Sequence, residues 1–177
     1  MILSPAVRTL LVSATLATLV SGCSTAVAGH AKPLPDLDVS RFTDKPCSLI
    51  TPSQLNQLGD FETPVPQQEP GKSMCKLNPR RVFKPGYSLS VRQDSLFESG
   101  RENTKGAPVY RETEVAGYPA FSYSGSDIGG VCSTVVRSSS RSSIQVTVVG
   151  EPEVSPELAD ACSATEKTAA VVVTNLK

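Results

Sequence analysis

The spacing of apolar and polar residues changes several times along the 177-residue chain. From Leu10 to Val20 the apolar run is relieved only by Ser13, Thr15 and Thr18, behind a single charge at Arg8. A hydrocarbon core needs about 20 residues, so so short a run predicts a cleaved export signal. Ser24 to Lys45, with Pro33, Pro35, Asp36 and Asp38, shows neither helical nor strand period and predicts a tether. As a coil it would reach about 25 Å, with a stretched limit near 75 Å.

A short helix follows, with Thr51 as N-cap, Pro52 in its first turn, Leu55 and Leu58 on its apolar edge and Gly59 as its stop. Pro64, Pro66 and Pro70 make 62–72 a loop, and a brief strand is expected over Ser73 to Leu77. The period then becomes two. Tyr87, Leu89 and Val91 alternate with Ser88, Ser90 and Arg92, and further strands are predicted at 109–115, 117–124, 131–137 and 143–149. The stretch 98–108 between them is polar and reads as a loop. The last two strands flank Ser138 to Ser142, a hairpin loop, which makes them antiparallel neighbours. A final helix is expected from Ser155 as N-cap and Pro156, with Leu158, Cys162, Thr165, Ala169, Val172 and Leu176 forming one stripe. The fold class is α+β: an antiparallel β-sheet with an N-terminal and a C-terminal helix packed on one face. The expected divisions are a lipoprotein signal peptide at 1–22, a flexible tether at 23–45 and a single extracytoplasmic domain at 46–177.

Cysteines sharpen this picture. Leu19-Val20-Ser21-Gly22-Cys23 ends the apolar run on two small residues and a cysteine, the pattern of a lipobox. An ordinary secretory signal with a chance cysteine is the alternative. As a lipobox, it makes Cys23 the acylated N-terminus and places the domain on the extracytoplasmic face of the cell membrane. Similarity to lipobox proteins implies two or three acyl chains there, whereas one chain anchors only marginally. The other four cysteines, Cys47, Cys75, Cys132 and Cys162, are an even number in an exported chain and predict two disulfides. The nested pairing Cys47 with Cys162 and Cys75 with Cys132 is expected, because it ties the domain's start to its end. The sequential pairing is the competitor.

Charge and composition mostly exclude. Seventeen basic and seventeen acidic side chains cancel, which argues against a nucleic-acid partner and against a membrane surface held by charge. His30, the only histidine, falls in the tether, so the domain has no histidine general base, Ser-His-Asp triad or imidazole zinc site. No cofactor is expected. Gly71-Lys72-Ser73 resembles the end of a phosphate-binding loop, but Pro66 stands where its first glycine belongs. Ser73-Met74-Cys75-Lys76, Ser126-Asp127-Ile128 and Lys167-Thr168-Ala169 resemble the three penicillin-binding-protein motifs, two of them defective at the last residue. The basic segment Lys76, Arg80, Arg81 and Lys84, near Phe83 and Tyr87, could hold an anion such as an envelope polymer or lipid headgroup, or could be solvated surface.

The lipobox, Lys45-Pro46-Cys47-Ser48-Leu49-Ile50-Thr51, Val115-Ala116-Gly117-Tyr118-Pro119-Ala120 and a late Cys162 in an alanine-rich helix together carry a resemblance. In these pieces the chain resembles the actinobacterial lipoproteins grouped as domain of unknown function family 3558. Members often place a tryptophan shortly after the second cysteine, where this chain has Lys76 and Leu77. The resemblance implies location and architecture and brings no activity. The functional expectation is a membrane-anchored, non-enzymatic module binding an envelope polymer, lipid or protein. The alternatives are a small envelope hydrolase without histidine chemistry and a structural envelope component.

Overall fold

A computed structural model describes residues 34–69, 72–93, 97–153 and 155–177. The signal sequence, Cys23 and His30 lie outside the described residues. Seven antiparallel strands form one sheet: β1 (Val65–Glu69), β2 (Lys72–Leu77), β3 (Gly86–Arg92), β4 (Val109–Val115), β5 (Tyr118–Ser124), β6 (Val131–Arg137) and β7 (Ser143–Val149). Their spatial order is β1-β2-β3-β7-β6-β5-β4. Two meanders, β1 to β3 and β4 to β7, are thus joined where β7 pairs with β3, Leu89 opposite Val146 and Val91 opposite Ile144.

The period of two sends alternate residues to opposite faces. On the first face lie Leu89, Val91, Val136, Ile144 and Val146, all buried. Helix α3 (Ala161–Thr174) covers it with Thr165, Ala169, Val172 and Val173. Helix α1 (Pro52–Leu58) adds Leu55 and Leu58 to the margin of the same core. Its N-terminus is a capping box between Thr51 and Gln54, and Gln54 Nε2 donates 3.0 Å to the Val171 carbonyl of α3. Both helices expected from the sequence are therefore in place. The start of the last one is later than expected: Pro156–Asp160 is a 3-10 turn, and Asp160 rather than Ser155 caps α3, accepting from the Ser163 N–H.

Two elements were not foreseen. Val65–Glu69 pairs with β2 as an edge strand, where Pro66 is tolerated. Phe97–Thr104 is a helix, α2, although its only buried residue is Phe97. It connects β3 to β4 across the second face, its Phe97 ring 5.3 Å from that of Phe121.

The expected tether and disulfide pairing need correction. Leu37, Val39 and Phe42 are buried in the main core, and the Leu37 N–H donates to the Ser138 carbonyl. The folded domain thus begins ahead of Leu37, not at Pro46, because three apolar side chains there are worth more buried than solvated. The bridges are Cys47–Cys75 and Cys132–Cys162, with Cα separations of 4.8 and 5.1 Å. Strand order explains why. β3 and β7 stand between β2 and β6, so Cys75 and Cys132 are separated by about 14 Å, too far for a bridge. Cys47, in the 3-10 turn Pro46–Leu49, instead lies over β2, and Cys162 in the first turn of α3 lies over β6.

Candidate functional site

The two ends of the sheet differ. The chain enters at the end formed by the β4–β5 and β6–β7 turns, where Leu37 is held by Ser138 and Leu34 lies beside Gly117. At the opposite end, the segment between β2 and β3 returns over the end of α1 and encloses a pocket of about 320 Å³. Leu58, Phe61, Pro79, Pro85 and Tyr87 form its apolar lining, and Asp60, Arg81 and Lys84 its charged groups.

Local sequence explains how these residues converge. Gly59, at φ +151°, ends α1 and turns the chain so that Phe61 can pair with Pro79 as an isolated bridge. A Cβ on Gly59 would sit 3.3 Å from the Phe61 ring. Phe61 meets Tyr87 edge to face at 6.0 Å between centroids, which fixes both rings in the wall. Arg80 closes the outside: its Nε donates 2.9 Å to the Phe61 carbonyl and lies 3.2 Å from Asp60 Oδ1. Asp60 is thereby paired with Arg80, and Arg81 and Lys84 are the basic groups of the lining.

The rim carries a second feature. Phe83 has φ +67° and is 62% exposed, beside Val82 at 78%. A left-handed backbone costs a residue with a Cβ roughly 1–2 kcal/mol, and an exposed aromatic recovers nothing by burial there. Buried Ser155 holds it in place, its Oγ donating 2.7 Å to the Phe83 carbonyl. Ile128, Val131 and Val149, at the same end of the sheet, are also exposed. This end combines a cationic pocket with an apolar surround.

The four basic residues singled out in the sequence therefore separate. Arg81 and Lys84 line the pocket, Arg80 braces it, and Lys76, opposite Ser88 on the second face, does not take part. Apart from Tyr87, the apolar lining was not read from the sequence, because it comes from three segments with no shared pattern. Gly59 followed closely by Phe61 was the one local signal.

Other chemistry-bearing residues have structural settings. Ser73 and Lys76 are three apart on one strand and point to opposite faces, so they cannot act together; the Ser73 hydroxyl donates 3.0 Å to Gln68. Ser122 Oγ donates 2.7 Å to Glu166 Oε1, a serine beside a carboxylate, but Ser122 is 0% exposed and no substrate reaches it. That pair belongs to a polar chain under α3: Ser122 with Thr134 at 2.8 Å, Thr134 with Thr165 at 2.6 Å, and Arg111 Nε donating 2.8 Å to Glu166. Burial opposes the Arg111 charge, yet its bond to Glu166 and the carboxylates of Glu166 and Asp160 hold its pKa above the usual value. Such a chain fixes how α3 sits on β4 to β6. Asp160 is held below the usual carboxylate range by the Ser163 hydroxyl and N–H, with Arg111 adding to the effect. Among the described residues no group of three His, Cys, Asp or Glu is placed to hold a metal, and no helix is long and apolar enough to cross a membrane.

No curated protein and no solved structure matches the chain. A family model described as "Protein of unknown function (DUF3558)" matches residues 18–175. That span takes in both disulfides, every strand and the pocket, and the chain belongs to the DUF3558 family.

Proposed function

We propose that this protein is a lipid-anchored, extracytoplasmic, non-enzymatic binding module, and that the pocket between α1 and the β2–β3 segment takes an amphiphilic anion. The supporting observation is a concave apolar lining, Leu58, Phe61, Pro79, Pro85 and Tyr87, closed by the cations of Arg81 and Lys84. Apolar walls supply affinity in proportion to the surface they bury, and a few charged groups fix orientation. The ligand is therefore a compact apolar body with one carboxylate, sulfonate or phosphate. Cys23 supplies the anchor. Since the folded domain begins at the opposite end of the sheet, the pocket stands away from the anchored end by about the length of a seven-residue strand, roughly 23 Å.

Decanoate and decanol provide the test, titrated into the full chain by calorimetry. The anion is expected to bind and the alcohol to bind at least tenfold more weakly, a difference of about 1.4 kcal/mol. Arg81→Ala should remove most of that preference. Equal affinity for the two ligands in the unaltered chain would refute the site. For the anchor, Cys23→Ala should release the chain from membranes; its retention after a salt wash would contradict the lipid attachment.

A further inference from the structure

The second face of the sheet carries a cleft of different chemistry. α2 lies across it, and Ser99, Gly100, Asn103 and Thr104, one side of the helix by their spacing, face β5 to β7 over a volume of about 200 Å³. Gly100 faces the Phe121 ring, which would stand 3.5 Å from a Cβ there, an ordinary contact distance. One wall is aromatic. Tyr123 is half-buried and its ring lies 28° from that of Phe121, at 5.9 Å between centroids. Ser143 and Gln145 form the floor.

The polar groups are arranged to receive a ligand. Gln145 Nε2 is fixed by bonds of 3.3 Å to the hydroxyls of Ser133 and Thr147, which leaves its carbonyl oxygen as a held acceptor without a partner among the described residues. Asn103 and Ser99 on α2 are exposed. Neither has a side-chain hydrogen bond among the described residues. Arg92, at the edge, is the only charged lining group among the described residues. Among the described residues the cleft thus offers one amide acceptor, an amide donor, hydroxyls and an aromatic ring, with no carboxylate and one cation.

A neutral polyhydroxylated ring matches this set: its hydroxyls both donate and accept, and its C–H face lies flat on an aromatic ring. The volume is below that of pockets for drug-sized ligands, which suits one ring rather than an extended body. We propose that the cleft between α2 and the second sheet face is a subsite for a single neutral sugar unit of a glycan. It is independent of the anion pocket at the sheet end.

The full chain, labelled with nitrogen-15, is titrated with glucose, mannose, galactose, arabinose and N-acetylglucosamine, and with a linear trisaccharide of each. At least one sugar is expected to shift the Gly100 amide and the Asn103 and Gln145 side-chain amides saturably. Asn103→Ala and Ser99→Ala, at solvent-accessible positions of the cleft lining and away from the Phe97 contact, should each weaken that sugar's binding by several-fold. Together they should weaken it by roughly tenfold or more, with Gln145→Leu alone giving a similar loss. Arg81→Ala should leave it unchanged, which separates this site from the anion pocket. Two outcomes overturn the proposal: no saturable shift with any sugar up to about ten times a millimolar Kd, or shifts that survive in the Asn103→Ala, Ser99→Ala double variant.

Discussion

The two ends of the sheet have been built to different ends. Where the chain enters, loose groups are satisfied. The Ser138 and Ser139 hydroxyls bond that of Ser142 at 2.8 and 2.7 Å, Ser139 accepts from the Arg141 N–H, and Leu37 and Leu176 are buried. The β4–β5 turn there places Ala116 at φ +52° before Gly117 at φ +89°, the two left-handed positions of a tight hairpin. At the far end Phe83 also has a left-handed backbone, but it serves no two-residue hairpin and presents a ring to solvent. The same backbone cost closes a turn at both ends, the Lys84 N–H donating 3.3 Å to the Arg81 carbonyl around Phe83, but only at the far end does it also display an aromatic beside a pocket.

The comparison can be broken most severely at the entering end. A chain beginning at Pro46 loses Leu37, Val39 and Phe42 from the core, at about 1.5–3 kcal/mol each, and should unfold or melt far below the full chain. An unchanged melting temperature in a thermal scan would put those residues back in a tether. Next comes the far end's staple. Replacing Cys132 and Cys162 by alanine opens a bridge of sequence separation 30, and the chain-entropy estimate gives a loss of about 3–4 kcal/mol, read by denaturant titration under oxidising conditions. Non-reducing peptide mapping should link Cys47 to Cys75 and Cys132 to Cys162. A linked peptide holding Cys75 and Cys132 would contradict the strand order itself.

Smaller effects sharpen the contrast. Ala116→Gly relieves the turn and should stabilise the domain by up to about 1 kcal/mol with decanoate binding unchanged. The smallest effect lies in the acid limb. The Ser163 hydroxyl and N–H hold the folded-state pKa of Asp160 below the ordinary carboxylate value, so its contribution is complete above that ordinary value and is lost as pH falls from there through the lower folded pKa. Asp160→Ala should flatten the stability profile in that window and cost about 1 kcal/mol at neutral pH through the lost cap.

Much of this architecture was legible in the sequence, and what was not has physical causes. Strands β3 and β7 show period-two alternation because Leu89, Val91, Ile144, Val146 and Val148 share one aliphatic face, and α1 declares itself through Thr51, Pro52 and Gly59. α2 was read as a loop because Phe97 alone anchors it and no stripe forms. β1 was hidden by Pro66, which only an edge strand accepts. Leu37 and Val39 did alternate with polar residues, but the neighbouring prolines and aspartates outweighed so short a signal. The disulfides were mispaired because pairing depends on strand order, and the insertion of β7 between β3 and β6 leaves no local trace. In the candidate site, Arg81 and Lys84 could be read from their basic segment. Tyr87 was read beside them, but Leu58 and Phe61 could not be, since their meeting with it is a product of the fold.

Phe83→Gly tests most directly whether the far end stores strain for binding. Stability by chemical denaturation and decanoate affinity by calorimetry are measured on the same full-chain variant. Removing the left-handed Cβ should raise stability by roughly 0.5–1 kcal/mol, while decanoate affinity falls by several-fold with the loss of the apolar rim. A variant that is less stable than the unaltered chain, or one that binds decanoate as tightly, would contradict the account.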